Sequence, residues 1–157
     1  MRKAGTWRVV ERPKDRNVVN CKWVFRIKKN AAGQIEKYKA WLVAKGFTQV
    51  EGVDYFETFA PVAKLASIRS ILAIASRNDW PIDMFDFHSA FLNGELGDDK
   101  EVFMEQPVGY EERDRKSFCV QLLKSIYGLK QARRKWYEVI CKLQTLQHII
   151  CDITGGK

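Results

Sequence analysis

An alternating stretch of the chain, residues 18–45, reads VVNCKWVFRIKKNAAGQIEKYKAWLVAK. Two arms, residues 18–29 and 35–45, flank a polar, glycine-containing segment with the composition of a turn. Because successive side chains of a strand point to opposite faces, the pattern predicts a β-hairpin with an apolar core face and a basic face. The apolar face would hold Cys21, Trp23, Phe25, Ile27, Tyr38, Ala40, Leu42 and Ala44. The basic face would hold Lys22, Arg26, Lys28, Lys37, Lys39 and Lys45, with an interruption at Trp41. Simple solvation of these lysines is the alternative interpretation.

The rest of the chain mixes helical and strand-like patterns. Apolar spacing predicts a helix over residues 65–77, which Asn78 to Pro81 would end. A strand around Asp86, a short helix or loop at 91–96, strands at 102–106 and 118–122, and a helix at 130–150 would follow. This order predicts one domain with an α+β (mixed α/β) fold.

One carboxylate stands out in residues 82–94, IDMFDFHSAFLNG. Asp86 is flanked on both sides by phenylalanine, and an ionised group that loses water without gaining a partner is costly. A metal ion or a cation would offset that cost, so the segment is interpreted as a strand with a metal ligand. The alternative is that Asp86 lies at a strand end, solvated or capping a turn.

Composition limits the class of protein and its partners. The chain has 157 residues, of which 46% are hydrophobic and 29% charged, as in a soluble globular domain. Apolar runs are too short for a membrane span, and the four cysteines have no zinc-site spacing. Scattered thiols without a secretory signal indicate a reducing, intracellular compartment. The net charge of +8 favours a polyanionic partner such as nucleic acid.

Six short blocks follow one another along the chain: CKWVF (21–25), LVAKGFTQ (42–49), DYFETFAPV (54–62), AFLNG (90–94), MEQP (104–107) and SIYGLKQA (125–132). Together they resemble the reverse transcriptase of copia-type LTR retrotransposons, in the family's order over residues 6–137. The resemblance implies one partial reverse-transcriptase domain over 1–157, with residues 138–157 as a C-terminal helix and a divergent tail. It also implies part of a right-hand polymerase, in which the hairpin belongs to the fingers and the Asp86 strand to an incomplete palm.

The resemblance further implies a reaction and its metal. Template-directed DNA synthesis from deoxynucleoside triphosphates proceeds by phosphoryl transfer at two Mg²⁺ ions. Asp86 would be catalytic as a metal ligand, and the backbone carbonyl of Phe87 would be a second ligand. An RNA or DNA primer–template and the triphosphates would be the partners, and no membrane is implied.

The same family places further residues around the nucleotide. Phe91 would lie against the sugar and exclude a 2′-hydroxyl, while Tyr127 and Gly128 would lie near the nucleotide and template. Phosphate contacts would come from Lys37, Lys39, Lys45 and Lys130. Each has a plainer alternative: Phe91 as core, Tyr127 as a packed loop aromatic, and the lysines as solvated charges.

Departures from the family pattern bear on activity. We expect the second metal-binding element, Tyr-x-Asp-Asp, to be absent, so the chain alone would be inactive and would need the remaining part of the polymerase. Trp41 and Arg133 stand where the family usually has arginine and proline. An uncovered Asp86 strand would also leave the isolated chain only marginally stable. A non-catalytic nucleic-acid-binding module and a non-functional relic of a transposable element are the alternatives.

Overall fold

The computed structural model describes residues 5–84, 86–97 and 101–154. Within them the strands are β1 (Trp7–Glu11), β2 (Val18–Val19), β3 (Cys21–Lys29), β4 (Ile35–Ala44), β5 (Val102–Met104) and β6 (Phe118–Leu122). The helices are α1 (Leu65–Arg77) and α2 (Ala132–Thr154), and short 3-10 turns occupy Gly46–Thr48 and Ala90–Asn93. Two separate sheets and two helices agree with the predicted α+β class. No helix in this described part of the chain has the length and apolarity to cross a membrane.

The larger sheet has four strands in the order β1-β6-β5-β2 and forms the core. β6 is antiparallel to both β1 and β5, whereas β2 runs parallel to β5. Its centre is made of β-branched and long apolar side chains that are almost fully buried: Val19, Val102, Met104, Val120 and Leu122. The predicted strands at 102–106 and 118–122 are confirmed as β5 and β6. The sequence pattern did not reveal β1, whose partner β6 lies over 100 residues later in the chain.

The predicted hairpin is confirmed as β3 and β4, except that residues 18–19 of its first arm form β2, which pairs with β5 in the other sheet. Cross-strand partners such as Trp23 with Leu42 and Val24 with Trp41 place the apolar and basic residues on opposite faces, as expected. Burial departs from the expectation, because the apolar face is core only at its base. Leu42 is fully buried, but Phe25 is 75% exposed farther out. The outer half of the hairpin projects beyond the four-stranded sheet, so its apolar side chains remain accessible.

Helix α1 has the predicted bounds, but not the burial that its apolar spacing suggests. It ends at Arg77 with Asn78 as its C-cap, and Asp79 follows with a left-handed φ of 51° before Pro81, a residue that could not continue the helix. Ala75 is its one buried residue. Exposed apolar side chains on and around α1 form what we call the uncovered apolar surface: Phe59, Val62, Leu65, Ile68, Ile71, Leu72, Ile74, Trp80, Ile82, Met84 and Phe87.

The predicted strand around Asp86 is wrong for the residues that the structure describes. Residues 81–84 and 86–87 have extended or irregular backbone without strand pairing, while Phe85 lies outside the described residues. A strand requires a hydrogen-bonded neighbour, and no described strand runs beside this segment. The short helix expected next is confirmed as the 3-10 turn at Ala90–Asn93.

Candidate functional site

An open cleft of about 680 Å³ lies between two segments that are distant in sequence. One wall comes from the 3-10 turn at Gly46–Thr48 and the loop that follows it. The other comes from the turn before α2 and the first two residues of that helix. The lining residues are Gly46, Phe47, Glu51, Tyr55, Phe56, Thr58, Phe91, Gly128, Leu129, Lys130, Ala132 and Arg133. Its volume falls within the range of about 300–1,000 Å³ that is usual for small-molecule sites.

Two glycines allow the walls to meet. A Cβ atom at Gly46 would overlap the Gly128 carbonyl oxygen, and one at Gly128 would overlap the carbonyl oxygen of Ala44. Gly128 also has a φ of +91°, a conformation that favours glycine. The Ala44 amide donates to the Tyr127 carbonyl at 2.8 Å and ties the two backbones together. Gly128, which the resemblance placed near the nucleotide, therefore also has a structural reason to be glycine.

Phe91 closes a third side of the cleft. The 3-10 turn at Ala90–Asn93 presents its half-buried ring, and the Ser125 hydroxyl donates to the Phe91 carbonyl. The ring meets Tyr127 edge to face, with 4.8 Å between centroids and 78° between planes. Tyr127 does not line this cleft but a neighbouring aromatic groove of about 810 Å³ that also contains Trp7, Trp23 and Trp41.

Positive charge predominates along the cleft. Lys130 and Arg133 contribute two cations, whereas Glu51 contributes one carboxylate. The Lys130 side chain is exposed, and its backbone N–H donates to the Gln49 side chain at 2.8 Å. Arg133, one of the departures from the family pattern, is thus the second residue of α2 and adds a cation here. The arrangement suits an anionic ligand that also has an aromatic part.

Asp86 and Phe87 do not line the cleft. Asp86 is exposed, so the expectation of a costly buried carboxylate is wrong. The Phe87 ring packs edge to face on Trp136 at 5.0 Å between centroids. Among the described residues, no group of three or more acidic, histidine or cysteine side chains could hold a metal ion. Asp86 and the Phe87 carbonyl alone do not make a complete magnesium site, because the other ligands of a six-coordinate Mg²⁺ ion would have to be water, phosphate oxygens or further carboxylates.

The predicted lysines are dispersed rather than gathered at the cleft. Lys37 and Lys39 lie on the basic face of the hairpin, and the Lys39 ammonium is 5.9 Å from the Trp41 ring centroid. Trp41, the other departure from the family pattern, therefore supplies a cation–π surface instead of a charge. Lys45 is half-buried at the base of the hairpin, where its backbone N–H donates to Asn20. Of the four predicted phosphate contacts, only Lys130 lines the cleft.

Sequence reasoning missed a buried polar cluster behind the cleft. Gln49, Asp54 and Gln131 are all nearly inaccessible to solvent and hydrogen-bond to one another across the two walls. Gln49 and Gln131 occur within the family-like blocks, but the sequence does not predict that they are buried, because glutamine is usually exposed. Their pairing depends on contacts 77 to 82 residues apart in the chain.

Comparison with known proteins assigns the family. The family model described as reverse transcriptase (RNA-dependent DNA polymerase) matches residues 4–152. The chain is 46% identical over 137 residues to a retrovirus-related Pol polyprotein from transposon TNT 1-94 of Nicotiana tabacum, covering 87% of the chain and 10% of that protein. It is 47% identical over 133 residues to the Pol polyprotein from transposon RE1 of Arabidopsis thaliana, covering 84% of the chain and 9% of that protein.

The chain thus spans about a tenth of the length of these curated relatives. No solved structure gives a significant match. The family match covers nearly the whole chain, and the relatives are Pol polyproteins of plant transposons, which confirms the resemblance inferred from the blocks. This chain belongs to the reverse transcriptase family, as a segment of the reverse transcriptase domain of a retrotransposon Pol polyprotein.

Proposed function

We propose that the chain forms the fingers and the start of the palm of a polymerase that copies a nucleic-acid template into DNA. The convergence of Phe91, Gly128 and Lys130 on one cleft is the observation that supports this most strongly. Phe91 lies far from Gly128 and Lys130 in sequence. The family resemblance had assigned Phe91 and Gly128 to the nucleotide and Lys130 to phosphate contacts. The cleft is therefore our candidate for the deoxynucleotide pocket.

The lining chemistry suits a deoxynucleoside triphosphate. Lys130 and Arg133 would bind phosphate oxygens through charge-assisted hydrogen bonds. Tyr55 and Phe56 line the cleft, and their rings would pack against a base. The Phe91 ring, fixed by its contact with Tyr127, would occupy the space that a ribose 2′-hydroxyl needs. Selection of deoxynucleotides would then be steric.

A two-metal magnesium site would require more carboxylate ligands than the described residues provide. Asp86 and the Phe87 carbonyl are the proposed ligands that this chain contributes, and the other carboxylates would come from elsewhere in the polyprotein. We therefore propose that the chain alone binds nucleotides but does not polymerise them.

The uncovered apolar surface supports the same view. Large apolar side chains are exposed in unusual number on α1 and on the segments that flank it in sequence, whereas a soluble protein usually exposes such side chains singly. The relatives are about ten times longer than the matched segment, so they contain ample polypeptide to cover it. We propose that the rest of the polymerase packs on this surface and pairs with the backbone around Asp86.

The test compares primer extension by the chain alone with extension by the chain joined to the downstream polymerase segment of the TNT 1-94 relative. We expect extension only from the joined protein, and Asp86→Asn should abolish it while leaving expression and thermal melting unchanged. Extension by the chain alone would refute the proposed inactivity. Full activity of Asp86→Asn in the joined protein would refute the metal-ligand role.

A non-catalytic nucleic-acid-binding module is the second candidate, and the exposed basic face favours it. Such a module would bind primer–template in a salt-dependent way but would not discriminate dATP from ATP. Failure to bind either nucleotides or nucleic acid would indicate a relic. An intracellular location, in cytoplasm or nucleus, stays a prediction.

A further inference from the structure

Three buried side chains connect the two walls of the cleft without touching its interior. Gln49 and Gln131 are joined by a hydrogen bond of 3.1 Å from the Gln49 Nε2 to the Gln131 Oε1. The Gln131 Nε2 donates to the Asp54 backbone carbonyl at 3.1 Å. The Asp54 carboxylate accepts from the Asn17 side chain at 2.6 Å and from the Val50 amide at 2.8 Å. Gln49, Asp54 and Gln131 are 8%, 3% and 6% exposed, respectively, and we call them the buried polar cluster.

The cluster reaches the cleft through the backbone of its walls. The Gln49 Oε1 accepts the backbone N–H of Lys130, which lines the cleft. Asp54 is followed directly by Tyr55 on the opposite wall, and Gln131 lies between the lining residues Lys130 and Ala132. A change in the cluster therefore moves lining residues on both sides at once.

Hydrogen bonding gives this cluster a specificity that apolar packing would lack. In the described residues every buried side-chain nitrogen and oxygen has at least one hydrogen-bond partner, and this includes the buried atoms of the cluster. A satisfied buried network fixes distances and directions between segments, because any slip leaves a polar group unpaired at a cost. The contact between Gly46 and Gly128 limits how closely the two walls of the cleft approach each other at one end. The buried polar cluster fixes the distance between the same walls behind the cleft.

We propose that Gln49, Asp54 and Gln131 are positioning residues that set the width of the cleft and thereby its affinity for a deoxynucleoside triphosphate. This inference rests on the proposed function of the cleft as the nucleotide pocket. The cluster itself contacts no ligand and acts through the Lys130 backbone and the loop around Tyr55.

The test uses the 157-residue chain and three variants of similar shape. Gln49→Met and Gln131→Met remove cluster hydrogen bonds while filling the space. Gln106→Met is the matched control, since Gln106 is 1% exposed and its side chain bonds to the backbone of Arg113, Phe118 and Glu112, away from the cleft. Isothermal titration with dATP and Mg²⁺, and hydrogen exchange of the Lys130 amide, are measured well below each melting temperature.

We expect Gln49→Met and Gln131→Met each to weaken dATP binding about tenfold. The double variant should lose little more than the larger single effect, because both changes break the same connection. Gln49→Met should also speed exchange of the Lys130 amide. Gln106→Met should lower the melting temperature and leave both dATP affinity and Lys130 exchange unchanged.

Two results would overturn the inference in distinguishable ways. If the unsubstituted chain binds dATP and the cluster variants bind it equally well, or if Gln106→Met weakens binding as much, the cluster is merely structural. If the unsubstituted chain binds no dATP, the proposed nucleotide pocket fails, and the positioning role fails with it.

Discussion

The four-stranded sheet and the uncovered apolar surface are both rich in apolar residues, but their side chains lie in very different environments. In the sheet, Met104 and Val120 are at most 1% exposed. Around α1, Ile71 is 66% and Met84 is 95% exposed. The sheet strands find their partners within the chain, whereas α1 and the segment after it do not bury their apolar side chains among the described residues. An apolar pattern therefore indicates which face needs a partner, but it does not show that the partner belongs to the same segment.

The largest expected effect contrasts one truncation in each region. Leu122→Ala should lower the free energy of unfolding by about 2–5 kcal/mol, because it opens a cavity in the buried sheet. Ile71→Ala should change it by only about 0.5 kcal/mol, because the side chain is already exposed. Urea unfolding of both variants measures the difference. Equal losses of unfolding free energy in the two variants would show that α1 is packed as tightly as the sheet, and the contrast between the two regions would be wrong.

The second comparison uses two glycines to separate the cost of a steric overlap from the cost of a left-handed backbone conformation. Gly128 and Gly33 both have positive φ, but only Gly128 faces a backbone atom that a Cβ would strike. Gly33→Ala should cost about 1–2 kcal/mol for its left-handed conformation. Gly128→Ala should cost about 1–3 kcal/mol more through overlap with Ala44. If both variants lose a similar free energy of unfolding in denaturant, the backbone around Gly128 can shift to accommodate a Cβ atom.

The features that the sequence predicted correctly are those in which the interacting residues lie close together in the chain. The bounds of α1 and the two faces of the β3–β4 hairpin were predictable, because both depend on local spacing and a short turn. β1 was not predictable, because it forms only by pairing with β6, which is remote in sequence. The absence of a strand around Asp86 was not predictable either, because an apolar pattern does not show whether a partner strand is present. Phe91, Gly128 and Lys130 were identified through family resemblance, and their convergence confirms only that they share a cleft. The buried polar cluster could not be predicted, because glutamine and aspartate are usually exposed and their contacts are long-range.

A third experiment alters the uncovered apolar surface without touching the sheet. Ile71→Lys should reduce the binding of a hydrophobic dye and reduce self-association, with little change in melting temperature. Ile68→Lys on the same helix should act similarly, because Ile68 is also exposed. Dye fluorescence and sedimentation velocity measure the outcome. A large loss of stability in both variants would contradict the exposure of this helix.

The smallest expected effect concerns Cys21 at the base of the hairpin. Burial raises the pKa of the Cys21 thiol to about 11, above its usual value near 9. Near pH 9, where a thiol of usual pKa is about half ionised, Cys21 should therefore react slowly with iodoacetamide in the folded chain. Because the unfolded thiol ionises first, its contribution to folding stability falls as the pH rises above about 9. Peptide mass spectrometry after timed alkylation measures the rate, and modification at the rate of a free thiol would show that the hairpin base opens.

The central claim is that the cleft between Gly46 and Gly128 is a deoxynucleotide pocket gated by Phe91. Titrating the chain and its Phe91→Ala variant with dATP and with ATP, in the presence of Mg²⁺, tests it most directly. We predict that the chain binds dATP more tightly than ATP and that Phe91→Ala removes the preference by strengthening ATP binding. Equal affinities for the two nucleotides in the unsubstituted chain, or no binding of either, would contradict the claim.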